Sequence, residues 1–263
     1  MRSSNPVLTR LTPETHHGAP APAYGYGAPS PYQVATPQTF AGEDRMTLDD
    51  VVVKTVLLLG VTLLSGLATA LLVPPALRGP IWIGAAMAGL VLGLIISFKR
   101  IASPPLILAY AVVEGAFLGG VSAFYASVYD GIVLQAALGT FGIFFIMAAL
   151  YRARVIRNSP KFARIITGAM IGIVVVLVGN LLLSLFGVQT HLRDGSGLAI
   201  AFSLVIIVVA ALSFVMDFDL IEQGIAQGAP RSTSWIAAFG LLVGLIWVYL
   251  EVLRLLSYLR GRD

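Results

Sequence analysis

The chain contains no cysteine, which excludes disulfide staples, cysteine-ligated zinc and thiol catalysis. Charge is scarce as well, at 11% Asp, Glu, Lys and Arg against about 25% in an ordinary soluble domain. Walker A, HExxH, GxSxG and dinucleotide-fingerprint patterns are all missing, and the lone GSG after Asp194 is too short to cradle a phosphate. A conventional enzyme is therefore not expected, and no cofactor is called for. The first residues also lack the apolar core of about 7–15 residues and small-residue cleavage site of a secretory signal. Targeting is expected to fall to the first hydrophobic helix.

What the chain has in abundance is apolar sequence, 57% of 263 residues against about 45–50% in soluble domains. From Val51 onward, apolar runs recur at the length of about 20 residues that crosses a bilayer. Seven spans are predicted, at 52–73, 81–98, 104–129, 132–151, 165–187, 198–223 and 235–259. Pro74 and Pro75 end the first, because proline cannot continue a helix. The fold class is thus an all-α polytopic membrane protein with short connections, whose function lies among its helices. The lipid bilayer is its first partner, and the net charge of +4 reads as topology, with no nucleic acid implied.

Residues 1–46 hold seven of the 14 prolines among Ala, Gly, Ser and Thr, too little apolar surface to offset the entropy of ordering. They read as a disordered cytoplasmic tail preceding a seven-helix domain at 47–263. The tail's Tyr24, Tyr26, Tyr32, His16 and His17 are open to two readings, a solvated segment or a weak binding motif. With the tail inside, the inner loops carry eight Lys and Arg and the outer side four, which places the N-terminus in the cytoplasm. Seven spans then leave the C-terminal LRGRD outside, against the charge rule, unless the sixth or seventh run is re-entrant.

Acids within apolar runs need a reason, since a carboxylate at the bilayer centre costs about 2.5–3.5 kcal/mol on insertion scales. Asp217, Asp219 and Glu222 close the sixth run, Glu114 lies about 15 Å into the third, and Glu251 lies in the seventh. Asp217 and Asp219 are about 200° apart around a helix, whereas Asp219 and Glu222 share a face. Glu251 can pair with Arg254 at i+3, or share a proton with Asp217 as a coupled carboxylate pair. Glu114 can be a neutral hydrogen-bonding acid or a member of a cation path. His191 falls in an outer loop. Thr62, Ser65, Thr69 and Asn180 are expected to hydrogen-bond between helices. Gly89/Gly93, Gly115/Gly119, Gly168/Gly172 and Gly240/Gly244 are candidate close-approach pairs.

Over about residues 50–260 the chain resembles the Bax inhibitor-1/YccA (transmembrane Bax inhibitor motif) family. The resemblance rests on EGAFLG at 114–119, ALYRARV at 149–155, MDFDLIE at 216–222 and YLEVLRLL at 249–256. It implies seven helices with the last one central. It further implies a pH-dependent calcium leak sensed by a carboxylate pair, here Asp217 and Glu251, with calcium a transient passenger and no resident metal. Bacterial relatives in this family are linked to regulating a membrane protease, which makes a membrane-embedded regulator the alternative function. The chain departs from the family pattern in having Glu at 251 and a longer separation between the two acids. A level pairing would require residues 224–234 to leave the membrane or bend. Otherwise Glu114 or Arg254 would replace one partner. The expected location is the bacterial inner membrane. A proton-coupled transporter is less well supported, since no inverted repeat is visible.

Overall fold

The computed structural model describes residues 45–188 and 190–261. The tail read over 1–46, with its tyrosines and histidines, lies outside them apart from Arg45 and Met46. Seven helices follow in order: α1 (Leu48–Leu72), α2 (Pro75–Lys99), α3 (Pro104–Ala126), α4 (Ile132–Arg152), α5 (Pro160–Leu185), α6 (Gly197–Ala226) and α7 (Thr233–Arg260). All seven are long and apolar enough to cross a membrane, and the described residues contain no strand. The first helix starts four residues before its apolar run. Thr47 caps it by accepting from the Asp50 amide at 3.2 Å, and Asp49 and Asp50 sit favourably at the positive end of the helix dipole. Ser159 and Ser196 cap α5 and α6 in the same way.

Burial sorts the helices into two classes. Half of the apolar stretch of α6 and of α7 is buried and 44% of that of α3, against 11% for α2 and α5. The last helix is central, as expected, and packs against α1, α3, α4 and α6, while α2 packs mainly on α3 and α5 on α6. The outward faces of α2 and α5 carry large exposed apolar side chains such as Ile83, Leu90, Val175 and Leu185. In water such a surface would be a liability. In lipid it is the solvent-facing side.

The tightest contact is between α1 and α3. A Cβ added at Gly119 would lie 2.2 Å from the carbonyl oxygen of Gly66, and one at Gly115 would lie 2.4 Å from that of Thr62. The same approach lets Thr62 donate to the Ala111 carbonyl at 3.2 Å and Ser65 to the Val112 carbonyl at 2.7 Å. Thr69 bonds back into its own helix instead, and Asn180 accepts from Thr190 in the loop after α5. Of the four glycine pairs, Gly115/Gly119 and Gly89/Gly93 face neighbouring helices, Gly244 meets Phe214, and Gly168, Gly172 and Gly240 have nothing within 4 Å.

Met46 is buried, and its amide donates to the Ala229 carbonyl at 2.8 Å. The end of the segment read as tail is therefore pinned to the α6–α7 turn. Arg231 extends this clamp through Asp50 at 2.8 Å, and Lys54 donates to the Arg231 carbonyl at 3.2 Å and to the Ser234 hydroxyl. The Lys54 ammonium also lies 5.4 Å from the centre of the Trp235 ring, within cation–π range.

Candidate functional site

Among the described residues, the five acids singled out in the spans sit at three levels. The α2–α3, α4–α5 and α6–α7 connections share one end of the bundle, which is the end that carries most of the loop Lys and Arg. Asp219 and Glu222 lie nearest it. Asp219 accepts from Asn158 at 2.7 Å and from Gln223 at 2.6 Å, and Glu222 accepts from the Tyr151 hydroxyl at 2.5 Å. Both acids are thus tied to the junction of α4 and α5. The side-chain oxygen of Asn158, Oδ1, is buried without a partner. Asp217, deeper by half a turn, is partly buried and accepts no hydrogen bond from the described residues. Its face differs from that of Asp219, as the helical phase requires.

Glu114 occupies the middle level. It is buried against α2, where a Cβ on Gly89 would come within 2.5 Å of its Oε1. Tyr110, one turn earlier, is within hydrogen-bonding reach of the carboxyl group. The glycine at 89 therefore makes the room that this acid occupies, and α2 covers it from the lipid.

Glu251 lies in the opposite half of the bundle. Its Oε2 accepts from the Arg254 guanidinium at 2.5 Å and its Oε1 from the Ser203 hydroxyl on α6 at 2.7 Å, with the side chain only 3% exposed. Arg193, from the α5–α6 loop, approaches the same cluster. Burial above all, and then the neighbouring Arg254, lower the readiness of Arg193 to hold its proton, and Glu251 opposes this. Glu251 is thus ion-paired with Arg254 and interacts electrostatically with Arg193 without an ion pair to it. The Arg193 loop is itself held by Asp194, which accepts from the Ser196 amide at 2.9 Å and pairs with His191 at 2.6 Å.

The proposed Asp217–Glu251 pair does not form. Ser203, the α6 residue that meets Glu251, precedes Asp217 by 14 residues, about 21 Å along a helix. The two α6 positions are only about 40° apart in phase, so Asp217 points in nearly the right direction at the wrong level. The physical reason is the continuity of α6. It stays helical to Ala226 and leaves only 227–232 for the turn, so no shortening brings Asp217 up to Glu251. Arg254, the alternative partner at i+3, is the one observed.

Sequence reasoning missed Ser203, Tyr151, Asn158 and Arg193. Ser203 left a trace as one of only two polar residues between Ala199 and Met216, whereas nothing local marks a loop arginine that folds back onto a helix. Among the described residues, no three His, Cys, Asp or Glu side chains group closely enough to hold a metal ion.

Comparison with known proteins places these features in a family. The Bax inhibitor 1 like family matches residues 5–261, and the chain belongs to it. It is also 37% identical over 81 residues to an uncharacterized protein of Chlamydia muridarum (strain MoPn / Nigg), a match that covers 31% of this chain and 34% of that protein. The matched stretch therefore spans about a third of that relative.

Proposed function

We propose that this member of the Bax inhibitor 1 like family is a pH-sensitive leak for calcium or a similar cation in the bacterial inner membrane, with its N-terminus in the cytoplasm and no catalytic activity. The observation that carries the reading is the series of acids at different depths: Asp219 towards the arginine-bearing end, Asp217 and Glu114 midway at about the same level, and Glu251 beyond them. Calcium prefers six to eight oxygen ligands. Isolated carboxylates at intervals are transient stops, weak enough to be left again, as conduction requires.

In this reading the latch is the Glu251–Arg254 bridge instead of a carboxylate pair. The charged Glu251 holds Arg254 within α7 and accepts from Ser203 of α6, and neutralising the acid releases the guanidinium and weakens the tie between the two helices. Calcium flux into liposomes across pH tests it. Glu251→Gln, which imitates the protonated acid, is expected to raise the leak at neutral pH and flatten its pH profile. Asp217→Asn is expected to lower flux without flattening the profile. Flux indifferent to pH and to both substitutions would refute the proposal.

A second reading, a membrane-embedded regulator that binds a membrane protease or another membrane protein, is favoured by α5. Its Gly168 and Gly172 have no heavy atom within 4 Å, a surface on which a foreign helix could pack closely. Bulky substitution there would abolish partner crosslinking and leave flux intact if that reading holds.

A further inference from the structure

A cleft of about 1130 Å³ opens between α1 and α4, with α6 and α7 as its floor. It runs from Leu48 to Leu59 on α1 and from Arg152 back to Phe141 on α4. Each wall is twelve residues long, about 16 Å from first to last at helical rise, or close to half the hydrocarbon thickness of about 30 Å. The cleft therefore spans one leaflet and starts at the arginine-bearing end of the bundle. Its rims are exposed apolar side chains, Val52 and Val56 on one side and Phe141 and Phe145 on the other. Its floor is buried and apolar, formed by Ile221, Leu241 and Leu245.

Apart from Thr55, whose hydroxyl bonds back to the Val51 carbonyl, only the mouth is polar, and its charges are unequal in their commitments. Asp219 and Glu222 already accept hydrogen bonds from Asn158, Gln223 and Tyr151. Arg152, Arg154 and Arg157 are exposed and make no ion pair among the described residues. Three guanidinium groups without anions thus stand at the depth of a lipid headgroup, and guanidinium matches a phosphate in shape and charge. Arg154 also holds a costly backbone position. It follows α4 in the left-handed region (φ 57), where the Val155 amide closes onto the Leu150 carbonyl at 3.0 Å, a site at which glycine is the unstrained residue.

We propose that the cleft binds one anionic glycerophospholipid from the leaflet at the arginine-bearing end. An acyl chain lies between α1 and α4, and the phosphate-bearing headgroup rests on Arg152, Arg154 and Arg157. The length, the lateral apolar opening and the charge at one end together fit an amphiphile and match no water-soluble ligand, whose polar groups would find no partners along the walls.

The test is lipid retention by the full-length protein, extracted from vesicles of equal phosphatidylglycerol and phosphatidylcholine and read by native mass spectrometry. One phosphatidylglycerol per chain should remain, at least tenfold over phosphatidylcholine. Arg154→Gly relieves the backbone strain and so should fold. Combined with Arg157→Gln, it should cut retention tenfold or more. Ala148→Phe, which fills the cleft without touching the charge, should do the same. Equal retention of the two lipids, or retention unchanged in the arginine variant, overturns the proposal. Loss in the arginine variant with full retention in Ala148→Phe also overturns it, because the lipid would then sit on the surface charge alone.

Discussion

Glu251 and Glu222 both accept a hydrogen bond of 2.5 Å from a side chain, yet they belong to different physical regimes. Glu251 is buried, and it is bonded to Arg254 of its own helix and to Ser203 of α6. Around Glu222 and Asp219 the donors come from the end of α4, the loop that follows it and Gln223 of α6 itself, and Glu222 is exposed. The short bond in the first place lies within α7, beside the Ser203 contact that ties α7 to α6, and in the second it only trims a surface. Geometry alone does not rank them. Burial does, because a charge without water depends wholly on its partner.

The contrast is broken most severely by removing one half of the inner pair. Glu251→Leu alone, or Arg254→Met alone, should lower stability by about 3–5 kcal/mol, the cost of a buried charge left without its counter-ion. The double variant should recover much of that loss. Recovery stays partial, because Arg193 still faces the cluster. Unfolding in denaturing detergent followed by tryptophan fluorescence measures all three, and a double variant no better than either single would mean that the ion pair is not one unit.

At the mouth the same kind of deletion should hardly register. Glu222→Gln keeps a hydrogen-bond acceptor for Tyr151 and removes a charge that water already solvates, so the change should stay below about 1 kcal/mol. A loss as large as that at Glu251 would show that the mouth is dry, and the contrast between the two regions would fall.

The same distinction explains what could be read from the residues in advance. Helix number and order are written in apolar runs about as long as a bilayer is thick, and the faces of Asp217, Asp219 and Glu222 follow from 100° per residue. Level is different. Which residue of α6 stands beside Glu251 depends on how far α6 continues past the acids before it turns, and GIAQG around 224–228 gives no local sign that helix persists to Ala226. Close packing is equally non-local. Gly115/Gly119 and Gly168/Gly172 share one spacing, but only the first pair has Gly66 and Thr62 opposite it. The clamp of Asp50 and Lys54 on the α6–α7 turn joins positions some 180 residues apart, beyond the reach of any periodicity.

The smallest expected effect concerns the loop that carries Arg193 to the inner cluster. Hydrogen bonds from the backbone and side chain of Ser196, followed by His191, hold the Asp194 carboxyl down at about 2. A carboxyl depressed in the folded protein stabilises the loop fully above its ordinary value near 4. That contribution fades as pH falls through the interval from about 4 to about 2. Loop order should therefore be flat from pH 8 to 5 and should drop only in strong acid. Hydrogen exchange at the Ser196 amide reads this directly. Asp194→Asn should speed exchange at neutral pH and remove the drop in acid, while leaving the Glu251–Arg254 pair intact. If exchange at Ser196 instead follows the pH profile of calcium flux, the loop and the inner cluster act as one switch, and the closed region extends to the outer surface through Arg193.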